Sequence, residues 1–167
     1  MIKKLHHNAY RCRDSEQTRR FYEDFLGLPL AEVLEIKETK SGRPTQTLHT
    51  FYRLGDDSYL AFFEAPDMPF EFKAQHDYDL HIALEVEPDE LKRRFAEGKR
   101  RGIETRGISD HGFIHSIYFR DPNGYVIELT AKMPNHDKAM DPATNGARTR
   151  LERWQAAKAA PRNTASA

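Results

Sequence analysis

A repeat runs through this chain and limits the folds open to it. Arg19-Arg20-Phe21 recurs as Arg93-Arg94-Phe95, 74 residues later, and the same offset carries His7 onto His81. Each histidine lies 14 residues before its phenylalanine. Further along, Leu48-His49-Thr50-Phe51-Tyr52 matches Ile114-His115-Ser116-Ile117-Tyr118 at an offset of 66, which pairs Tyr59 with Tyr125 and Phe62 with Glu128. Self-similarity of this kind means that one supersecondary unit is used twice.

The unit is legible in both copies. Lys3 to Arg11 reads as a strand. Asp14 or Ser15 can cap a helix whose apolar positions Phe21, Tyr22, Phe25 and Leu26 keep helical spacing, and Gly27 stops it. Leu30 to Lys37 reads as a strand, Thr39 to Thr45 as a loop, and Thr47 to Leu54 with Tyr59 to Glu64 as a hairpin. In the second copy, Leu80 to Val86 is an apolar strand and a helix runs from Pro88 through Leu91 and Phe95 to Gly102. Ile103 to Ile108 is a strand. Phe113 to Phe119 and Tyr125 to Thr130 form a hairpin closed by Asp121-Pro122-Asn123-Gly124, where Pro presets φ and Gly accepts the positive φ. The expected fold is α+β: two βαβββ modules, about 3–66 and 78–131, forming a cup-like mixed sheet in one domain, 1–132. Pro66 to Asp77 is long enough for a linker or a lid. The tail, 133–167, is expected to be partly helical or disordered: Asn135 to Gly146 irregular, Thr149 to Ala159 a helix anchored by Leu151 and Trp154, and Pro161 to Ala167 disordered.

Several function classes drop out. Lysine plus arginine and aspartate plus glutamate both number 26, with no basic stripe carrying interleaved aromatics, so nucleic acid is not the expected partner. No apolar run approaches the roughly 20 residues of a membrane span, and the first residues lack the apolar stretch of a secretion signal. A single Cys12 rules out an internal disulfide and a cysteine-based zinc cage. A cytoplasmic protein is expected. Eight histidines stand out, since histidine at neutral pH is the common metal ligand and proton carrier.

Glu128 is a misfit in an apolar strand, and a buried carboxylate is costly unless a cation or donor neutralises it. Two similar units pack about a pseudo-two-fold axis, so related positions converge. Those positions are His7, His81, Phe62 and Glu128. Two imidazoles and one carboxylate make the facial triad of non-haem Fe(II) enzymes; Mn, Zn, Ni or Co suit the same donors. His6 competes with His7, but alternation along a strand turns them to opposite faces and the repeat selects His7. Glu64 shares strand parity with Phe62 and is the candidate fourth ligand. His49, Phe62 and Glu64 are candidate substrate contacts.

The chain resembles the vicinal oxygen chelate superfamily, which includes glyoxalase I, extradiol dioxygenases, fosfomycin-resistance enzymes and methylmalonyl-CoA epimerase. Leu5 to Gly27 is similar to the family's first strand and helix, Leu80-His81-Ile82-Ala83-Leu84 to its central metal strand, and Tyr118 to Glu128 to its last hairpin. The resemblance implies one divalent metal, most readily Fe(II), a small-molecule substrate and, commonly, a homodimer. His111, Tyr118 and Glu128 nearly match the extradiol dioxygenase signature, with Ser109 a departure. In that reading a catechol-like substrate is cleaved, Tyr118 contacts it, and His115, His111 or His49 moves protons. Those enzymes carry an acid/base histidine where this chain has Asp57-Ser58-Tyr59. The resemblance also allows a glyoxalase-like lyase, isomerase or thiol transferase, or a metal-free binding protein of the bleomycin-sequestering kind.

Overall fold

The computed structural model describes residues 1–68 and 70–159. Among the described residues, eight strands form two four-stranded sheets. The first unit contributes β1 (His7–Arg11), β2 (Leu30–Glu38), β3 (Pro44–Arg53) and β4 (Tyr59–Glu64), in the order β1-β4-β3-β2. The second contributes β5 (His81–Glu85), β6 (Thr105–Asp110), β7 (Ile114–Arg120) and β8 (Val126–Lys132), in the order β5-β8-β7-β6. In each sheet the first strand pairs in parallel with the last, and the other pairs are antiparallel. The expected two-module α+β fold is present.

Helices follow the first strand of each unit. Asp14 caps α1 (Ser15–Arg19) by accepting from the Gln17 N–H at 2.7 Å. The helix widens into a π-helical turn, Arg20–Phe25, and ends at Gly27 with φ of 78°. Pro88 opens α2 (Pro88–Arg100), with Asp89 and Glu90 in its first turn and Lys99 and Arg100 in its last, each charge complementing the helix dipole.

The π-helical turn fills the space between the sheets. Tyr22 is fully buried with its ring 4.7 Å from Phe62, and its hydroxyl donates to Asp121 Oδ2 at 2.9 Å. Phe25 meets Phe119 edge-on at 5.1 Å. Asp121 also accepts from the N–H groups of Asn123 and Tyr125, so the turn closing the last hairpin is fixed from inside the core. Burial raises its pKa, and these donors partly offset that.

The sheet register corrects the second half of the repeat. Phe51 pairs with Ala61 and Tyr118 pairs with Glu128; His7 pairs with Tyr59 and His81 with Val126. The structural offset between the last strands is therefore 67, not 66, and Ala61 rather than Phe62 occupies the place of Glu128. A one-residue slip moves a side chain to the other face. Phe62 accordingly joins Leu60 and Tyr52 in the core against Tyr22.

The tail departs from expectation too. Residues 135–146 contain a short helix, α3 (His136–Met140), and α4 (Ala147–Ala159) follows. Leu151 and Trp154 do not anchor α4: they are 57% and 64% exposed, and all its side chains from 147 to 158 are exposed. The expected disorder of Pro161 to Ala167 lies outside the described residues. Among the described residues, no helix is long and apolar enough to cross a membrane.

Candidate metal centre

The face of the second sheet away from the helices gathers the chemistry. Ala83, Glu128, Tyr118 and Arg106 lie side by side across β5, β8, β7 and β6. Paired residues point the same way and successive residues alternate. Ile82, Ile117, Phe119, Ile127 and Leu129 thus face the core, which leaves His81, Glu128 and Tyr118 together on the opposite side.

The Glu128 side chain is only 8% exposed. Its Oε1 accepts from the Thr130 hydroxyl at 3.1 Å, and its Oε2 lies 3.4 Å from His81 Nε2. His81 Nδ1 lies 3.1 Å from the Asp77 carbonyl oxygen. A carbonyl only accepts, so Nδ1 carries the proton and, in the neutral ring, Nε2 presents a lone pair. A nitrogen lone pair and a carboxylate oxygen then face each other, the carboxylate buried and the imidazole 42% exposed. Only a cation, a proton or a metal ion, satisfies both. Two donors each about 2.1 Å from one ion at a tetrahedral angle stand about 3.4 Å apart. The donors present therefore fit a divalent metal.

Tyr118 extends the cluster. Its hydroxyl is 2.9 Å from His111 Nε2, and the Arg106 guanidinium carbon lies 5.7 Å from the centre of its ring. Burial, and then the charge of Glu128, raise the Tyr118 pKa, so the phenol keeps its proton at neutral pH.

His7 is elsewhere. It sits on the equivalent face of the first sheet, with ring-centre distances of 5.5 Å to Phe51 and 6.4 Å to His49. Among the described residues no group of three or more His, Cys, Asp or Glu stands close enough to hold a metal. The chain thus divides the expected triad: His81 and Glu128 meet, and His7 does not join them. Nor does His6 face away from His7, since β1 begins only at His7 and the two Nδ1 atoms are 2.8 Å apart.

Other expected contacts are not brought together. His115 has the parity of Ile117 and Phe119, on the face opposite Tyr118, with Nε2 3.6 Å from Asp110. Phe62 is core. Glu64 shares its face, and its carboxylate accepts from the Ser15 N–H at 2.7 Å, at the start of α1. His49 is buried, stacks on Phe63 at 3.7 Å and donates from Nδ1 to the Phe62 carbonyl at 3.0 Å. Burial, first of all, lowers its pKa. Asp77 is a site neighbour that sequence reasoning missed, because it acts on His81 through a loop carbonyl.

The family model described as the Glyoxalase/Bleomycin resistance protein/Dioxygenase superfamily matches residues 4–129. The chain belongs to this superfamily. Among solved structures, a glyoxalase/dioxygenase from Nostoc punctiforme has 22% identity and a TM-score of 0.59, over 78% of this chain and 92% of that one. The fosfomycin resistance protein FosX from Listeria monocytogenes, complexed with Mn(II) and sulfate, has 19% identity and a TM-score of 0.60, over 83% and 99%. FosX from Mesorhizobium loti has 21% identity and a TM-score of 0.60, over 83% and 99%. These likenesses are of fold. No curated protein sequence matches the chain. Helices α3 and α4 lie beyond the superfamily match.

Proposed function

We propose that this protein is a metal-dependent enzyme acting on a small molecule with two neighbouring oxygens, and that its reaction is extradiol-type cleavage of a catechol-like ring. The observation that carries metal binding is His81 Nε2 standing 3.4 Å from the Glu128 carboxylate while Nδ1 stands 3.1 Å from the Asp77 carbonyl. A metal needs more than two protein donors to be held well, and His7 is the remaining candidate. Among the described residues β1 and β5 are each bonded on one side only, to β4 and β8. We therefore assign the third donor to a second copy: in a two-fold dimer, His7 of one chain meets His81 and Glu128 of the other, and the reverse contact forms the second site.

When bound, the ion supplies positive charge that acidifies a chelating hydroxyl and, as Fe(II), access to dioxygen chemistry. This chain's residues do the rest. Tyr118, protonated and beside Glu128, donates a hydrogen bond to the substrate's reacting oxygen. His111, joined to Tyr118 at 2.9 Å, exchanges a proton with solvent through that phenol. His111 replaces His115 in this role, because His115 faces away. Both atoms of dioxygen end in the ring-opened product, so no outside reductant is required.

The test is anaerobic loading with Fe(II), addition of a catechol panel, then oxygen. The expected result is a yellow ring-opened product, lost in Glu128→Gln and reduced about a hundredfold in Tyr118→Phe, the scale of one positioned proton-transfer group. Absence of product across the panel would refute the ring-cleavage reading. A second reading, Lewis-acid chemistry of the lyase, isomerase or thiol-transferase kind, is favoured by the Asp57-Ser58-Tyr59 stretch, where ring-cleaving relatives keep a histidine. It draws support from the Mn(II) bound by the fosfomycin-resistance fold neighbour. Activity with Mn(II) in the absence of oxygen would select it.

A further inference from the structure

The segment between β4 and β5 forms no helix or strand among the described residues, yet one of its residues touches the site from three directions. Residues 76–79 close a tight turn: the Asp79 N–H donates to the His76 carbonyl at 2.8 Å, and the His76 N–H to Asp79 Oδ2 at 3.1 Å. Asp77 sits in that turn. Its carbonyl accepts from His81 Nδ1 at 3.1 Å. Its carboxylate reaches the second sheet twice, to Arg106 on β6 at 2.6 Å and to Arg120 on β7 at 3.2 Å. Arg120 is itself fixed by donating to the Gly124 carbonyl at 2.9 Å. These hydrogen bonds, Arg106 first, hold the Asp77 carboxyl below its usual range, so it is ionised at neutral pH.

We propose that Asp77 is a positioning residue for His81: its carboxylate, clamped between Arg106 and Arg120, pins the turn so that its carbonyl fixes the Nδ1–H tautomer and leaves Nε2 free toward Glu128. A neutral imidazole otherwise divides between two tautomers, and only one offers Nε2 as a donor. A partner on the second ring nitrogen fixes tautomer and orientation, and losing such a partner typically weakens metal binding by about 10- to 100-fold. The same clamp holds Arg106 over Tyr118 and so joins the two sides of the cluster. The consequence for metal binding rests on the metal reading above; the tautomer does not.

The experiment compares the full-length protein with Asp77→Ala, the near-isosteric Asp77→Asn, Glu104→Gln and His81→Ala. Glu104→Gln is the control, because Glu104 Oε2 accepts from Arg120 at 3.3 Å without touching His81. Imidazole ¹⁵N NMR of metal-free protein reads the His81 tautomer, and Mn(II) titration reads the dissociation constant. At a pH where the ring is neutral, wild type is expected to show one Nδ1-protonated form. Asp77→Ala should show both tautomers and bind Mn(II) at least about tenfold more weakly. Asp77→Asn should shift both readouts in the same direction and by less, and Glu104→Gln should leave both unchanged. If Asp77→Ala keeps the single Nδ1–H form, the proposal is wrong, whatever happens to affinity, since weaker binding alone would reflect general loosening. A mixed tautomer with an unchanged Mn(II) constant overturns it as well. His81→Ala separates the claims: undiminished Mn(II) binding there defeats the metal reading, while the tautomer result still decides the role of Asp77.

Discussion

Replacing Phe62 by alanine tests whether the repeat is aligned by face or by residue type. Aligned by type, Phe62 takes the place of Glu128 and lines a site. Aligned by pairing, it is core. Its side chain is fully buried, with ring-centre distances of 4.7 Å to Tyr22, 6.0 Å to Tyr52 and 6.4 Å to Tyr10. Truncating a buried phenylalanine costs about 3–5 kcal/mol, as lost transfer energy plus the cavity left behind. For a chain of this size each kcal/mol moves Tm by about 2–4 °C, so a fall of about 6–20 °C is expected. Thermal melting by circular dichroism measures it, and Mn(II) titration well below the new Tm should return the wild-type constant. A Tm within about 2 °C of wild type, with ligand or metal binding impaired, would refute the face assignment.

Two further perturbations probe the surroundings. A Cβ at Gly98 in α2 would stand 2.5 Å from Thr105 Oγ1 and 2.6 Å from Phe119 Cε1. Gly98→Ala should therefore destabilise by about 1–3 kcal/mol in denaturant titration, although alanine in an open helix would gain about 1 kcal/mol. His49 has a depressed pKa in the folded state, so the unfolded chain binds its proton more readily; the stability this contributes is present above the unfolded pKa of about 6.5 and lost as pH falls through the folded value. His49→Phe should flatten the fall of Tm on that acid side, and an unchanged acid limb would show that His49 does not drive it.

Much of this arrangement was readable from the chain. The repeat, the Pro88 helix start, the Asp-Pro-Asn-Gly turn and the equivalence of His7 and His81 all follow from local rules that the structure keeps. The second-half register did not, because Tyr52 was matched to Tyr118 by identity. Tyr52 is fully buried in the core and Tyr118 lies on the opposite type of face. The exclusion of His115 was available: it is three residues from Tyr118, and an odd separation on one strand means opposite faces. His111 was a candidate from its motif, but its place beside Tyr118, like that of Asp77 beside His81, was not legible. Both lie in loops, where no period tells which way a side chain or carbonyl points. Leu151 and Trp154 have helical spacing, but spacing alone supplies no surface to pack against. The division of the triad also escaped the sequence, since a repeat shows which positions are equivalent and not whether they meet within one chain.

Mixing two single-histidine variants tests the proposed two-chain centre most directly. A His7→Ala chain retains His81 and Glu128, and a His81→Ala chain retains His7. If each centre draws on both copies, dissociating and reassociating an equal mixture rebuilds one complete site in each mixed dimer, and high-affinity Mn(II) binding should return to about a quarter of the wild-type sites. Each variant alone should show none. A mixture that binds no more Mn(II) than its separate components would contradict a centre made from two chains.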